Sequence, residues 1–303
     1  MLNVIDISNH QGGLDLNTLF KKNPALGGVI CKATGGNYFV DSRCDGWVQW
    51  LIQNKKPWGV YHFLCDGNTF AGGKAEAEFF YKNCKNYIGH GTVWADYEYP
   101  ATLRGTAYLR SFLNRLYELS GVKAGVYCSL SVIQSQDFSE IARNGHPLWL
   151  AQYADNVTLY YDFVEKPWQQ GSYAPFSKIT MQQYTSHGRL TGWKSNLDFN
   201  AFFGDAAEWD AIAGVPAAEP PTELKPADPE IVAAVLADDF GSVQDGRYDK
   251  LRKAGYDPQS VQDKINELYA IALSCMKFVK GNEAYIPEIA SIMEVLLWAG
   301  TLT

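Results

Sequence analysis

The sequence predicts an α/β chain: an irregular (β/α) barrel of eight strands, followed by a proline-rich linker and a small all-α domain. Three observations carry that expectation. Short runs rich in β-branched and aromatic residues recur through the first two thirds of the chain, amphipathic helical patterns separate the earlier ones, and prolines cluster between Gly214 and Glu230. Alternation of strand and helix implies a parallel sheet, and eight strands in that order suggest closure into a barrel. A chain of 303 residues holds one large domain and a small one.

The strand runs are Asn3 to Ile7, Gly28 to Ala33, Trp58 to Leu64, Thr92 to Glu98, Ala124 to Ser129, Leu148 to Tyr153, Ile179 to Tyr184 and Asn196 to Phe199. Between the earlier ones, Asp41 to Asn54, Lys74 to Lys85 and Thr106 to Leu119 repeat apolar residues at three- and four-residue intervals, the pattern of a helix with one buried face. The later connections look less helical, which makes the barrel irregular. Pro216, Pro220, Pro221, Pro226 and Pro229 lack apolar periodicity around them and predict a semi-extended linker. The expected division is therefore a barrel over 1–213, a linker over 214–229 and a helical domain over 230–303. In that last domain Ile231 to Ala237 and Tyr248 to Ala254 read as short helices, with Gly255 as the C′ residue of the second. Asp257-Pro258 reads as N-cap and first turn of a third, running through Val261, Ile265 and Leu268, and Ile286 to Trp298 predicts a further helix.

Composition narrows the function. The chain is 47% hydrophobic and 19% charged, with a net charge of −7 and no Lys/Arg cluster, which argues against a nucleic-acid partner. No apolar run reaches the roughly 20 residues of a membrane span, so membrane insertion is not expected. The first residues read directly as a strand rather than a leader, predicting synthesis in the cytoplasm without a classical secretion signal. Six cysteines at scattered spacings read as buried thiols rather than a disulfide framework. Five histidines show no metal-ligand spacing, so neither a metal nor another cofactor is expected, and His62 reads as packing under Tyr61.

Chemistry is concentrated in acids at strand ends. Asp96 and Glu98 stand two apart in a strand-like run, so their side chains point the same way, about 6.5 Å apart along the backbone. Two like charges buried together relieve one another when one keeps its proton, the equipment of a general acid beside an anionic stabiliser. The alternative is a solvated strand end. In a barrel of this kind loops gather at the carboxyl ends of the strands, where Asp6 and Asp198 would join the pair at one mouth.

Residues 1 to about 205 resemble glycoside hydrolase family 25, the muramidases of the phage-endolysin and bacterial-autolysin type. The matching pieces occur in family order: Asp6 to Gly12, Lys32 to Gly35, Gly59 to Phe63, Asp96-Tyr97-Glu98, Gly125 to Cys128, Trp149 to Tyr153, Gln183 to Ser186 and Leu197 to Asn200. The resemblance implies a lysozyme that hydrolyses the β-1,4 bond between N-acetylmuramic acid and N-acetylglucosamine in bacterial peptidoglycan and acts on the wall after release. It implies Glu98 as general acid/base, Asp96 as stabiliser of the cationic or oxazoline-like species, and Asp6 and Asp198 as residues that shape and polarise the pocket. Candidate sugar contacts are Tyr61, Tyr127, Trp149, Gln152 and Tyr153, each weighed against core packing. The sequence departs from the family at Gly36, near a usual acidic residue, and at Phe199, where leucine is usual. Residues 228–270 look like a single copy of a cell-wall-binding repeat found in some pneumococcal phage lysozymes, carried by Asp239-Phe240-Gly241, Gly246-Arg247, Leu251, Ala254 to Asp257 and Val261 to Leu268. Competing readings are a chitinase-like enzyme of family 18, whose motif needs an acid where this chain has Trp94, an inactive wall-binding protein, and a zinc amidase, which the histidine spacing does not support.

Overall fold

The structure, a computed structural model, describes residues 1–65, 71–214, 224–241 and 246–281. The expected helix over Ile286 to Trp298 and the prolines at 216, 220 and 221 lie outside the described residues. By internal contacts the chain divides into two units, Met1–Ala217 and Ala218–Thr303.

In the first unit the elements are β1 (Leu2–Ile7), α1 (Leu16–Lys22), β2 (Leu26–Gly35), β3 (Phe39–Val40), α2 (Cys44–Gln53), β4 (Trp58–Phe63), α3 (Gly73–Cys84) and β5 (Thr92–Asp96). There follow α4 (Gly105–Ser120), β6 (Gly125–Ser129), α5 (Leu130–Ser135), α6 (Ser139–Arg143), β7 (Leu148–Ala151), β8 (Met181–Gly188), β9 (Leu197–Phe202) and α7 (Ala206–Ala213). The sheet runs β1-β9-β8-β7-β6-β5-β4-β2, and β1 pairs with β2 to close an eight-stranded barrel, with the short β3 hanging on β2. The expected parallel sheet is corrected at one place. The last strand, β9, runs antiparallel to both β8 and β1, making the barrel mixed. A parallel strand there needs a crossover of a dozen residues or more, and only the short segment after Gly188 connects β8 to β9.

Side chains alternate between two cores. Val4, Ile30, Trp94, Trp149, Met181 and Phe202 fill the barrel interior, with Trp209 of α7 packed against them and its indole N–H donating to the Trp58 carbonyl at 3.0 Å. The larger core lies between the strands and the helices, where Ile5, Val29, Val60, Val93 and Val126 meet Leu51, Phe80 and Phe112. Trp94 occupies so much of the interior that Gly125 must stand opposite it: a Cβ there would lie 2.2 Å from the indole. Phe199, in place of a leucine, fits because Gly188 leaves room; a Cβ on Gly188 would lie 2.3 Å from the ring.

His62 does not pack under Tyr61. Thr34, one residue beyond a register shift in β2, and His62 of β4 face the helices, where the His62 ring stacks on Phe112 at 4.9 Å and lies within 3.1 Å of a Glu76 carboxylate oxygen. Glu76, fully buried on α3, also accepts from Tyr108 (2.6 Å) and from the Cys65 N–H (3.0 Å). Cys31, Cys44, Cys65, Cys84 and Cys128 are buried free thiols, and the Cys275 side chain lies outside the described residues.

The second unit contains α8 (Pro229–Leu236), α9 (Arg247–Lys253) and α10 (Pro258–Gly281). Asp228 caps α8 through the Ile231 N–H and accepts from the Tyr256 hydroxyl at 2.8 Å. Asp257 caps α10 through Gln259 and Ser260, and Gly255 sits at φ 86° just past α9, the left-handed position where glycine is favoured. Ile231, Val232, Val235, Leu251, Val261 and Ile265 form its core.

Candidate active site

β1, β5 and β9 bring the acids together. Asp6 and Asp198 pair directly across β1 and β9, and Asp96 sits in register with Phe63 on one side and Tyr127 on the other. The expectation that Glu98 ends a strand needs one correction. β5 stops at Asp96, and Glu98 lies in the connection beyond it. The alternation nevertheless continues, because the Tyr97 N–H donates to the Tyr127 carbonyl at 2.9 Å as a further sheet rung would. Tyr97 therefore turns outward into the core, its hydroxyl on Gln136 (2.7 Å), and Asp96 and Glu98 both turn to the cleft.

That cleft has a volume of about 460 Å³. It is lined by Asp6, Asp96, Glu98, Asp198, Tyr61, Tyr127, Trp149 and Tyr153, and also by Ser8, His10, Lys32, Phe63 and Gln183. Eight of the nine sequence-predicted residues thus meet in one place. The exception is Gln152, whose amide is engaged twice with the backbone of Gln170, where it ties down the long connection after β7. Trp149 is in the cleft floor, 2% exposed, with its indole N–H on Asn200 at 2.8 Å. It supports the site from below rather than offering a stacking face. Sequence reasoning missed Gln183 and Lys32 although both lie in quoted motifs. Inward-facing polar residues on barrel strands were the signal that would have found them.

Asp6 is the best-held acid. One of its oxygens accepts from Asn200 (2.8 Å) and from Gln183 (2.9 Å), and the oxygen of Gln183 in turn accepts from the hydroxyls of Tyr127 (2.8 Å) and Tyr153. Burial raises Asp6 to about 6, against those two hydrogen bonds. Asp96 is buried and one of its oxygens has no partner among the described residues. Desolvation first, then Glu98 and Asp6, hold its carboxyl well above the ordinary range, with Lys32 opposing. Asp198 is pushed the same way by burial, Asp6 and Glu98. Solvent reaches Glu98 from the mouth while protein surrounds it elsewhere; desolvation and then Asp6 raise its carboxyl, and Lys32 again opposes. Lys32 itself lies between the rings of Phe39 (4.9 Å) and Phe63 (4.7 Å). Four acids around one lysine cannot all ionise cheaply, so the cluster stores protons near neutral pH. Among the described residues no group of His, Cys, Asp or Glu is arranged to hold a metal ion.

A barrel that gathers raised and ionisable carboxylates with aromatic walls at the carboxyl ends of its strands is built like a glycoside hydrolase. Residues 5–193 match the model of the glycosyl hydrolases of family 25, and the chain belongs to that family. It is 23% identical over 267 residues to a lysozyme of Streptococcus phage Cp-7, covering 87% of this chain and 69% of that protein. Its fold is shared with a bacterial lysozyme from Streptomyces coelicolor, with TM-score 0.56 and 21% identity over 70% of this chain and 97% of the other. It is shared as well with the catalytic domain of endolysin ply40 from bacteriophage P40 of Listeria monocytogenes, with TM-score 0.53 and 24% identity over 71% and 98% of the two chains.

Proposed function

We propose that the protein is a peptidoglycan hydrolase of the muramidase type, cleaving the β-1,4 bond that follows N-acetylmuramic acid. The observation that carries this reading is the meeting of Asp6, Asp96, Glu98 and Asp198 in one aromatic-walled cleft. Glu98, open to the mouth and raised in pKa, gives its proton to the glycosidic oxygen, and the C1–O bond breaks with the N-acetylglucosamine hydroxyl as leaving group. Positive charge develops at C1 and the ring oxygen of the muramic residue. The carboxyl of Asp96 faces that charge, either directly or by orienting the substrate's 2-acetamido oxygen for attack at C1; water then completes hydrolysis and restores the proton to Glu98. Asp6 and Asp198, paired across β1 and β9, shape and polarise the pocket from the other side. Tyr61, Tyr127 and Tyr153 are the sugar-facing groups in this reading. The chitinase-like alternative loses its third acid, because Trp94 fills the barrel interior.

The reading extends to the second unit as a wall-binding module, supported by the order of its Asp239 to Leu268 pieces from the end of α8 through α9 and α10 and by the Arg247 side chain, which donates to the Gly241 carbonyl and so joins two of those pieces. It also places the enzyme's action at the bacterial wall after release from the cell that makes it. The test is Glu98→Gln on purified walls. Release of reducing sugar should fall about 10²–10⁴-fold while co-sedimentation with walls is unchanged. In a mass spectrum of the wild-type digest the new reducing end should be muramic acid. A reducing N-acetylglucosamine, or free amino termini in place of reducing ends, would overturn the proposal.

A further inference from the structure

Gln183 and Asn200 face each other across β8 and β9, and both turn into the barrel. Each carries an amide with one end that must donate and one that must accept. The polarity of Asn200 is forced: an indole N–H can only donate, so the Asn200 oxygen faces Trp149 and its NH2 faces Asp6. Gln183 is fixed in the same sense by Asp6 itself: an ionised carboxylate can only accept, so the Gln183 NH2 faces Asp6 and its oxygen takes the hydroxyls of Tyr127 and Tyr153. Both donors meet the same oxygen, Oδ2, and Gln183 and Asn200 are themselves 4% and 0% exposed, so water does not substitute for them. An oxygen that accepts two amide N–H groups is a poor place for a proton.

We infer that Gln183 and Asn200 are positioning residues for the carboxylate of Asp6: they reserve Oδ2 as an acceptor, so that any proton Asp6 takes goes to Oδ1. This rests on the reading of the cleft as a hydrolytic site and adds to it. The other ionisable groups that share the cleft with Asp6 are Lys32, Asp96, Glu98, Asp198, Tyr61, Tyr127, Tyr153 and His10, and among the described side chains the two amides are the ones bonded to Oδ2. Gln183 also ties the hydroxyls of Tyr127 and Tyr153 to that carboxylate, joining sugar-facing groups to an acid through one side chain.

The test is Gln183→Glu in the full chain. Glu keeps the size and still accepts from both tyrosines, but has no N–H for Asp6. The acid limb of the pH–activity profile on walls should move up by about one pH unit or more, and the Asp6 carboxyl ¹³C resonance should titrate higher by a similar amount, with Asn200→Asp moving both the same way. Gln183→Met, which removes the amide without adding charge, must move both the same way, because a carboxylate at 183 would raise Asp6 by repulsion alone. An unmoved Asp6 resonance, or activity lost only in step with the melting temperature at an unchanged profile, would overturn the inference. If the wild type releases no reducing ends yet the Asp6 resonance moves, the hydrolytic reading fails and the positioning role stands.

Discussion

Asp6 shows how a single buried carboxyl links stability to the site. Its pKa of about 6, against an ordinary 3.8, means the fold binds that proton more tightly than the unfolded chain does. The associated stability is present in full below the unfolded value and is lost as pH rises through the folded one, at a cost of about 3 kcal/mol above pH 6. Asp6→Asn, neutral at every pH and able to accept from both Gln183 and Asn200, should therefore match the wild type in melting temperature near pH 4. It should exceed it by about 5 °C or more at pH 8. Melts by circular dichroism across that range check this; a constant difference at all pH values would show that Asp6 is not the group that titrates. The Asp96 and Asp198 carboxyls are shifted in the same direction, so the whole cluster trades stability at neutral pH for a store of protons beside the cleft.

At the scale of elements, the strand rungs decide which side chains meet. The two-residue spacing of Asp96 and Glu98 is readable in the sequence, and it survives the end of β5 because Tyr97 keeps a rung to Tyr127. Barrel interiors also demand size matching between neighbouring strands, which spacing does not show. Trp94 is accommodated by Gly125 across β5 and β6, and Gly125→Ala would place a methyl 2.2 Å from the indole, with the Pro147 carbonyl 3.1 Å away on the other side. The ring cannot retreat, since Trp149 packs on it at 5.5 Å and its N–H is held by Thr92 at 2.9 Å. This substitution should lower the melting temperature by about 5–10 °C, and calorimetry on the purified variant checks it. Gly59→Ala, whose Cβ would lie 2.1 Å from the Thr92 hydroxyl, should behave similarly.

At the scale of the whole molecule, an enzyme unit shares one chain with a second unit whose described residues form three helices. On the proposed reading of the second unit as a wall-binding module, a single copy holds weakly and contributes by raising the local concentration of the barrel at the wall. Removing residues 218–303 should therefore leave turnover of soluble glycan fragments unchanged while lowering the rate on intact walls at dilute enzyme by about 10–100-fold, read together with co-sedimentation. Equal loss on both substrates would assign the second unit a role in folding the barrel instead.

Periodicity and end signals alone determined the barrel strands, the three long helices of the first unit, the caps at Asp257 and Gly255 and the meeting of four acids at one mouth, because strand ends, caps and apolar spacing are local properties written in neighbouring residues. The antiparallel run of β9, the outward turn of His62 onto Phe112, the engagement of Gln152 with a loop and the two amides on Asp6 were decided only by the tertiary structure. Each depends on partners far apart in the chain, such as Asp6 with Asn200, and no local pattern records which distant donor a buried acceptor finds when the barrel closes.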